Sequence, residues 1–142
     1  MQWSKLWSAN EQLIEHIRYS KSNPVAIERW YLNGAIKEKI VAISVAEGNP
    51  HGGLGVRSLR EQYDDTGRIT SRENFVGTGD NRAQPVGLQQ AFHPNGKIAV
   101  EETYSPLDDR NHSRLTARKE WDESGKLVAD DEILEDGSRR RR

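Results

Sequence analysis

The chain contains no cysteine in its 142 residues, so no disulfide framework can hold it together. The absence of cysteine is compatible with a reducing compartment, and we expect a cytoplasmic location. Long apolar runs are missing as well. The longest stretch, at residues 40–46, is interrupted by Ser44, and the N-terminus lacks the continuous apolar core of a signal peptide. The sequence therefore predicts neither a membrane-spanning segment nor a secretory leader.

Apolar residues are scarce overall. They make up 34% of the chain against 30% charged residues, and the mean hydropathy is −0.88. The net charge is only −1, so there is no self-repulsion that would keep the chain unfolded. A chain of this length is one domain by size. Together these values predict a thin, folded sheet with much solvated surface.

One short phrase recurs four times along the chain. It consists of an aromatic residue, three further residues, a glycine, one residue, and then Ile or Leu. The four copies are Trp30…Gly34…Ile36, Tyr63…Gly67…Ile69, Phe92…Gly96…Ile98 and Trp121…Gly125…Leu127. A phrase repeated about every 30 residues indicates an array of similar structural units, none of which buries its apolar face alone.

The phrase is typical of a β-hairpin with a three-residue loop. Each glycine follows Asn, Thr or Ser and suits the last loop position, which requires positive φ. The aromatic residue then lies opposite the Ile or Leu on the paired strand. A second apolar position follows eight residues after each glycine, at Ala42, Phe75, Tyr104 and Ile133. We expect these residues to continue the same apolar stripe along each return strand.

The repeats predict a mainly β domain spanning residues 1–142, in which antiparallel hairpins form one twisted sheet. The hairpins are expected at about residues 25–46, 57–76, 87–105 and 116–133, joined by connectors that are rich in turn-forming residues. Residues 134–137 predict one more turn. The arginine-rich tail after it would fold back as a short strand or stay frayed.

Residues 1–24 differ from the repeats. Six apolar residues lie at helical spacing, and Ser8 with Glu11 matches a capping box, so a helix is predicted at about residues 9–20 and is ended by Asn23-Pro24. The six are Trp3, Leu6, Trp7, Leu13, Ile14 and Ile17. We expect this α-helix to cap one end of the sheet; the alternative is a partner-binding helix.

No pattern in the sequence predicts catalysis, a metal site or a cofactor. Asp65-Thr66-Gly67 is spelled like an aspartic-protease triplet, but it stands in register with the other three turns. The glycine-rich segment 51–55 lacks the Lys-Ser/Thr and the following helix of a phosphate-binding loop. The histidines, His16, His51, His93 and His112, show no spacing suited to a metal. We therefore expect a non-enzymatic protein.

Charge is the most informative remaining feature. Residues 98–137 contain twelve acids and five bases, an excess of seven negative charges. Such a surface attracts a basic partner and argues against nucleic acid or anionic membranes as partners; a merely solvated face is the alternative. The candidate partner-binding residues are Glu101, Glu102, Asp108, Asp109, Asp130, Asp131 and Glu132. Adjacent strand residues point to opposite faces, so only one of each pair can meet a single partner. For Arg139 to Arg142 an intramolecular or solubilising role is expected.

Segments 28–38 and 90–101 resemble the repeat of the YwqK-type antitoxins, bacterial proteins with MORN-like repeats. The resemblance covers about residues 25–133 in four copies. It implies an immunity protein or antitoxin that binds a cognate toxin, expected to have a basic surface, and occludes its active site. Two alternatives stay open: a repeat scaffold or membrane-associated binding module, and an inhibitor of another bacterial or phage system. The toxin and the oligomeric state stay undetermined.

Overall fold

The computed structural model describes residues 2–9, 12–20, 23–45, 56–77, 83–110 and 112–142. These residues form twelve β-strands in one antiparallel sheet and contain no helix. The strands are β1 (Gln2–Trp7), β2 (Leu13–Ser20), β3 (Asn23–Trp30), β4 (Ile36–Val45), β5 (Val56–Tyr63), β6 (Ile69–Gly77), β7 (Ala83–Pro85), β8 (Gly87–Phe92), β9 (Ile98–Tyr104), β10 (Leu115–Trp121), β11 (Leu127–Ile133) and β12 (Arg139–Arg141). The mainly β prediction is confirmed.

The sheet is a meander in which strands follow one another in sequence order. The one exception is β7, which pairs with the end of β6 beside the contact between β6 and β8. The described strands therefore build a single layer with two open faces. No side chain in the described ranges is completely enclosed, and the buried apolar residues are only Ala26, Val76, Val86 and Ile133. The expectation of a thin sheet with much solvated surface is met.

The four predicted hairpin turns are confirmed in position and geometry. At the first turn the N–H of Gly34 donates to the carbonyl of Tyr31 at 2.9 Å, and the N–H of Tyr31 donates to the carbonyl of Ala35 at 2.9 Å. The other three turns repeat both bonds, and all four glycines have φ between 86° and 93°. Each repeated aromatic residue lies opposite the Ile or Leu of its phrase, as predicted.

The predicted N-terminal helix is wrong, because the described residues 2–9 and 12–20 form the hairpin β1–β2. Trp7 pairs with Leu13 at the same spacing as Trp30 with Ile36, and the N–H of Ser8 donates to the carbonyl of Gln12 at 2.8 Å. This hairpin is a fifth copy of the phrase. It lacks the glycine of the repeated phrase, since the sequence has Glu11 at that position. The supposed capping serine closes the hairpin loop, its hydroxyl accepting from the N–H of Gln12 at 3.1 Å.

A β-bulge follows each apolar pair and changes the predicted stripe. Trp30 pairs with Ile36, but Arg29 pairs with Glu38, so β4 contains one extra residue there. The extra residue reverses the alternation of side chains beyond it. The same shift occurs in the other hairpins, so the second apolar positions lie on the face opposite the aromatic residues; they are Ala42, Phe75, Tyr104 and Ile133. The prediction of one continuous stripe is therefore wrong.

The bulges give the two faces of the sheet different chemistry. We call the side that contains Arg29, Glu38 and the four second apolar positions the charged face. The side that contains the repeated aromatic residues is the aromatic face, where Lys39 lies 6.0 Å from the Tyr63 ring and Arg72 lies 5.9 Å from the Phe92 ring. The repeated aromatics are half-buried rather than enclosed. Their contribution to stability is accordingly smaller than that of a closed core.

Candidate interaction surface

A network of ion pairs crosses the charged face between β2 and β5. Its centre is Glu38, only 6% exposed, whose carboxylate accepts from Arg29 at 2.6 Å and from Arg60 at 3.0 Å. Arg29 also donates to Glu15 at 2.9 Å, and this hydrogen bond is the main reason that the pKa of Arg29 is raised. The register explains the assembly, because Glu15, Arg29 and Glu38 stand directly opposite one another on adjacent strands. These four residues are the N-terminal network.

A second network crosses the charged face between β9 and β12. Its buried member is Asp131, 4% exposed, which lies 2.5 Å from Nε of Arg141 and 4.0 Å from Arg139. Nearby, Arg118 pairs with Glu102 at 3.4 Å and with Glu120. We call Glu102, Arg118, Asp131, Arg139 and Arg141 the C-terminal network. The arginines of β12 therefore form intramolecular ion pairs, as one of the two roles expected for the tail requires.

The structure does not bring the seven candidate acids into one site. Two of them, Glu102 and Asp131, lie on the charged face and belong to the C-terminal network. By register, Glu101, Asp130 and Glu132 lie on the aromatic face. There Glu101 accepts from the side chain of Gln90 at 2.8 Å and Glu132 pairs with Arg140. Three of the seven acids, Glu102, Asp131 and Glu132, are therefore paired with arginines of the sheet.

The remaining two candidates lie in the connector between β9 and β10. Asp108 accepts hydrogen bonds from the N–H groups of Arg110 and His112, both at 2.9 Å, and these bonds lower its pKa. This carboxylate therefore stabilises its own turn. Asp109 is exposed beside it. Both acids are placed at the end of the sheet opposite the glycine turns.

The glycine turns form a row along one end of the sheet and are joined by side-chain hydrogen bonds. The amide of Asn33 donates to the carbonyl of Asp65 at 2.9 Å, and the amide of Asn95 donates to the carbonyl of Glu123 at 2.7 Å. Between these two pairs of turns, Arg68 donates to the carbonyl of Pro94 at 3.1 Å. The row therefore holds neighbouring hairpins in register.

Two turns in this row are closed by an aspartate. Asp64 accepts from the hydroxyl of Thr66 at 2.6 Å, and Asp122 accepts from the hydroxyl of Ser124 at 2.6 Å; these bonds are the main cause of the lowered pKa of each carboxyl. The interpretation of Asp65-Thr66-Gly67 as a hairpin turn is confirmed. Because folding lowers both pKa values, the carboxylates stabilise the folded chain above the unfolded value of about 3.9, and that contribution is lost as pH falls through the folded values.

A groove opens on the charged face where β6 and β8 separate. The two strands pair only at Ser71 and Arg72, after which β6 pairs with β7 instead. The side chain of Gln89 replaces the missing ladder bonds at the point of divergence. It accepts from the N–H of Asn74 at 2.8 Å and donates to the carbonyl of the same residue at 2.6 Å. The space beyond has a volume of about 430 Å³.

The lining of this groove combines carboxylates with aromatic rings. Glu73 and Glu102 supply the charge, Phe75 and Tyr104 supply the rings, and Arg60 closes one side. Glu73 makes no ion pair with any residue in the described strands. Burial, followed by the charge of Glu102, raises the pKa of Tyr104, so its phenol stays protonated at neutral pH. Sequence reasoning missed Glu73, because the divergence of β6 from β8 has no local sequence signal.

The structure gives no support for a metal site or a membrane span in the part of the chain that it describes. No group of three or more His, Asp or Glu residues in those ranges is arranged to hold a metal ion. His16 meets the Trp3 ring edge-on at 6.2 Å, and His93 donates to the carbonyl of Trp121 at 2.8 Å. No described helix is long and apolar enough to cross a bilayer. His51 and the glycine-rich segment 51–55 lie outside the described residues.

Comparison with known proteins identifies one segment. Residues 85–105 match the model of the MORN repeat variant. The matched segment contains the whole hairpin β8–β9 with its turn at Gly96, and it borders the groove through Glu102 and Tyr104. A search of curated proteins finds no significant match. The MORN-like character expected from the repeated phrase is therefore supported for this hairpin.

Proposed function

We propose that this chain, whose hairpin β8–β9 matches the MORN repeat variant, is a non-catalytic immunity protein or antitoxin that binds a cognate toxin and occludes its active site. The observation that carries the proposal is the groove between β6 and β8, with two carboxylates and two aromatic rings on an otherwise self-paired charged face. The resemblance of the repeats to the YwqK-type antitoxins supports the same role. The proposed place of action is the cytoplasm.

The groove fits a basic side chain of the partner. A lysine or arginine can lay its aliphatic stem along Phe75 and Tyr104 while its charged end meets the carboxylates. Glu73 is best suited to receive that charge, because it makes no ion pair within the described strands, although Arg60 stands directly opposite it on β5. Glu102 already forms an ion pair with Arg118 at 3.4 Å, so it would contribute a second, weaker contact. A toxin with a cationic active-site cleft presents such side chains.

The other acids have secondary roles in this proposal. Asp131 stays in the C-terminal network, where truncation would damage the sheet before it changed the interface. Glu101, Asp130 and Glu132 lie on the opposite face and would not touch a partner seated in the groove. Asp108 and Asp109 lie in the connector and act on the association rate and its salt dependence rather than on the final affinity.

The first experiment identifies the partner and localises its contact. The chain is used as bait in its native host, the captured protein is purified, and its affinity is measured for Glu73→Gln, Glu102→Gln and Glu101→Gln. Glu101 is a matched control because it neighbours Glu102 in sequence and lies on the other face. Loss of a central desolvated carboxylate costs about 2–5 kcal/mol, so Glu73→Gln should bind about 30-fold more weakly or worse.

The expected pattern is a large loss for Glu73→Gln, a smaller loss for Glu102→Gln and wild-type affinity for Glu101→Gln. Thermal melts of all three variants control for stability, particularly for Glu102→Gln, which loses the pair with Arg118. Equal affinities for the three folded variants would place the interface elsewhere and contradict the groove.

A second experiment separates an antitoxin from the alternative binders. The captured partner is expressed alone and together with the chain in the same host cell. We expect growth arrest with the partner alone and recovery when the wild-type chain is present, with weaker recovery for Glu73→Gln. A partner that causes no arrest would favour the scaffold, or the inhibitor of a different bacterial or phage system. Binding of the chain to anionic vesicles would favour the membrane-associated module.

A further inference from the structure

The first strand, β1, is the edge of the sheet and has features that edge strands usually avoid. It pairs with β2 on one side and has no strand among the described residues on the other. Three of its side chains are large, apolar and exposed: Trp3 at 62%, and Leu6 and Trp7 at 53% each. A regular, apolar edge strand is a template for pairing with another strand. The charge on β1 is limited to Lys5.

The opposite edge shows how an edge can be blocked. β12 is only three residues long, and all three are arginines. Arg140 pairs with Glu132, and Arg141 pairs with Asp131. A short, charged strand of this kind discourages pairing with another chain. The difference between the two edges indicates that β1 is the edge available for association.

The hydrogen-bond pattern shows which backbone groups of β1 face outward. The N–H of Ser8 donates to the carbonyl of Gln12 across the loop. From that point, residue pairs between β1 and β2 alternate between hydrogen-bonded and non-hydrogen-bonded pairs. Leu6 and Ser4 direct their N–H and C=O groups toward β2. Trp3 and Lys5 therefore direct theirs away from the sheet, where they offer donors and acceptors to another strand.

We propose that β1 pairs antiparallel with β1 of a second copy of this chain, about a two-fold axis that passes by Ser4. In this register Trp3 stands opposite the partner's Lys5, and each such pair exchanges two backbone hydrogen bonds. All four of these side chains lie on the aromatic face. The two sheets then become one continuous sheet across the axis. This inference is independent of the proposed toxin binding.

The side chains favour this register over its neighbour. Within one chain, Nζ of Lys5 already lies 4.7 Å from the centre of the Trp3 ring. Pairing about Ser4 brings the partner's Lys5 to the same ring and repeats this cation–π contact across the axis. Shifting the axis to Lys5 would instead place two lysines directly opposite each other, which is destabilising. The side chains therefore favour pairing about Ser4 over pairing about Lys5.

Single-cysteine variants test the proposal cleanly, because the natural chain contains no cysteine. In the proposed register Ser4 faces the partner's Ser4 as a non-hydrogen-bonded pair, with Cβ atoms about 4.5–5.5 Å apart, close to disulfide geometry. Ser4→Cys should form a covalent dimer under mild oxidation. Lys5→Cys faces the partner's Trp3 and should cross-link poorly. Thr66→Cys, exposed in the turn row, controls for random collisions.

Light scattering gives the independent measurement. The wild-type chain should double its molar mass as its concentration rises. Lys5→Pro should remain monomeric with an unchanged circular dichroism spectrum, because proline removes an N–H that faces away from β2. A wild-type chain that is monomeric at every concentration, or efficient cross-linking by Lys5→Cys but not by Ser4→Cys, would overturn the proposal. Cross-linking by Thr66→Cys as fast as by Ser4→Cys would overturn it as well.

Discussion

Two nearly buried acids, Glu38 and Asp131, occupy the charged face in similar surroundings but at different places in the sheet. Each is paired with two arginines: those of Glu38 lie on the two strands beside it, whereas those of Asp131 both lie on β12. Glu38 lies on β4, with several strands on both sides, whereas Asp131 lies on β11 and has only β12 beyond it. The partners of Glu38 are partly covered, while those of Asp131 are exposed arginines at the end of the chain.

The difference in position changes the consequence of losing a partner. An interior acid that loses its arginines stays under its neighbouring strands and keeps an uncompensated charge. An acid near the edge becomes exposed when the covering strand leaves, so its charge regains water. In a single-layer sheet, the stabilising effect of an ion pair therefore depends on its distance from the edge.

The largest effect is expected from removing both partners of Glu38. The double variant Arg29→Met/Arg60→Met should lower the free energy of unfolding by about 3 kcal/mol, because the buried carboxylate is left unpaired. Urea unfolding followed by tryptophan fluorescence measures this loss. A decrease below about 1 kcal/mol would show that Glu38 regains water and would remove the distinction between interior and edge.

The next effect compares two tryptophans at the same position of the repeated phrase. Trp121→Ala should cost about 2 kcal/mol, since a half-buried ring opposite Leu127 is lost. Trp7 lies at the edge and is 53% exposed, so Trp7→Ala should cost less than about 1 kcal/mol. Thermal melts of both variants at a concentration that keeps the chain monomeric provide the measurement. Equal losses would mean that the edge hairpin packs as firmly as an inner one.

A smaller effect is expected at the other edge. Deleting residues 138–142 removes β12 and the arginines that cover Asp131. The loss should be about 1–2 kcal/mol, because charge-assisted hydrogen bonds disappear but the carboxylate becomes hydrated. Urea unfolding of the shortened chain tests this value. A loss as large as that of the double variant at Glu38 would contradict the role of hydration.

The smallest effect on the free energy of unfolding serves as a reference for the three larger ones. Arg18 on β2 and Glu28 on β3 form a diagonal pair at 3.9 Å, and both are partly exposed on the aromatic face. Arg18→Met should change the free energy of unfolding by less than about 0.5 kcal/mol, as is usual for a surface ion pair. The same urea assay applies. A loss above 1 kcal/mol would show that exposure does not separate weak pairs from strong ones in this sheet.

The hairpins could be predicted from the sequence because their turns depend on local chemistry. Glycine at Gly34 and its three equivalents marks a backbone position with positive φ, and the apolar pair around each turn follows from hairpin geometry. The edge hairpin was missed because Glu11 replaces that glycine. Its apolar residues, spread over two strands and a loop, then matched helical spacing by coincidence.

The candidate site was less predictable because it depends on the relation between distant strands. The bulges that separate Phe75 and Tyr104 from the aromatic face have no distinct residue signature in the phrase. The pairing of Asp131 with Arg141 depends on the return of β12. The groove depends on the separation of β6 from β8. Counting acids along the sequence therefore identified the acidic region of the chain. It did not identify the face of the sheet on which each acid lies.

The most direct test of the difference between interior and edge is a rescue experiment by urea unfolding. Glu38→Gln is added to Arg29→Met/Arg60→Met, and Asp131→Asn is added to the chain that lacks residues 138–142. Removing the uncompensated charge at Glu38 should restore about half or more of the lost free energy of unfolding, roughly 1.5 kcal/mol. Asp131→Asn should change the free energy of unfolding by no more than about 0.5 kcal/mol. Equal recovery at both positions, or no recovery at Glu38, would contradict the central claim. That claim is that a buried acid in this sheet keeps an uncompensated charge only when it lies in the interior.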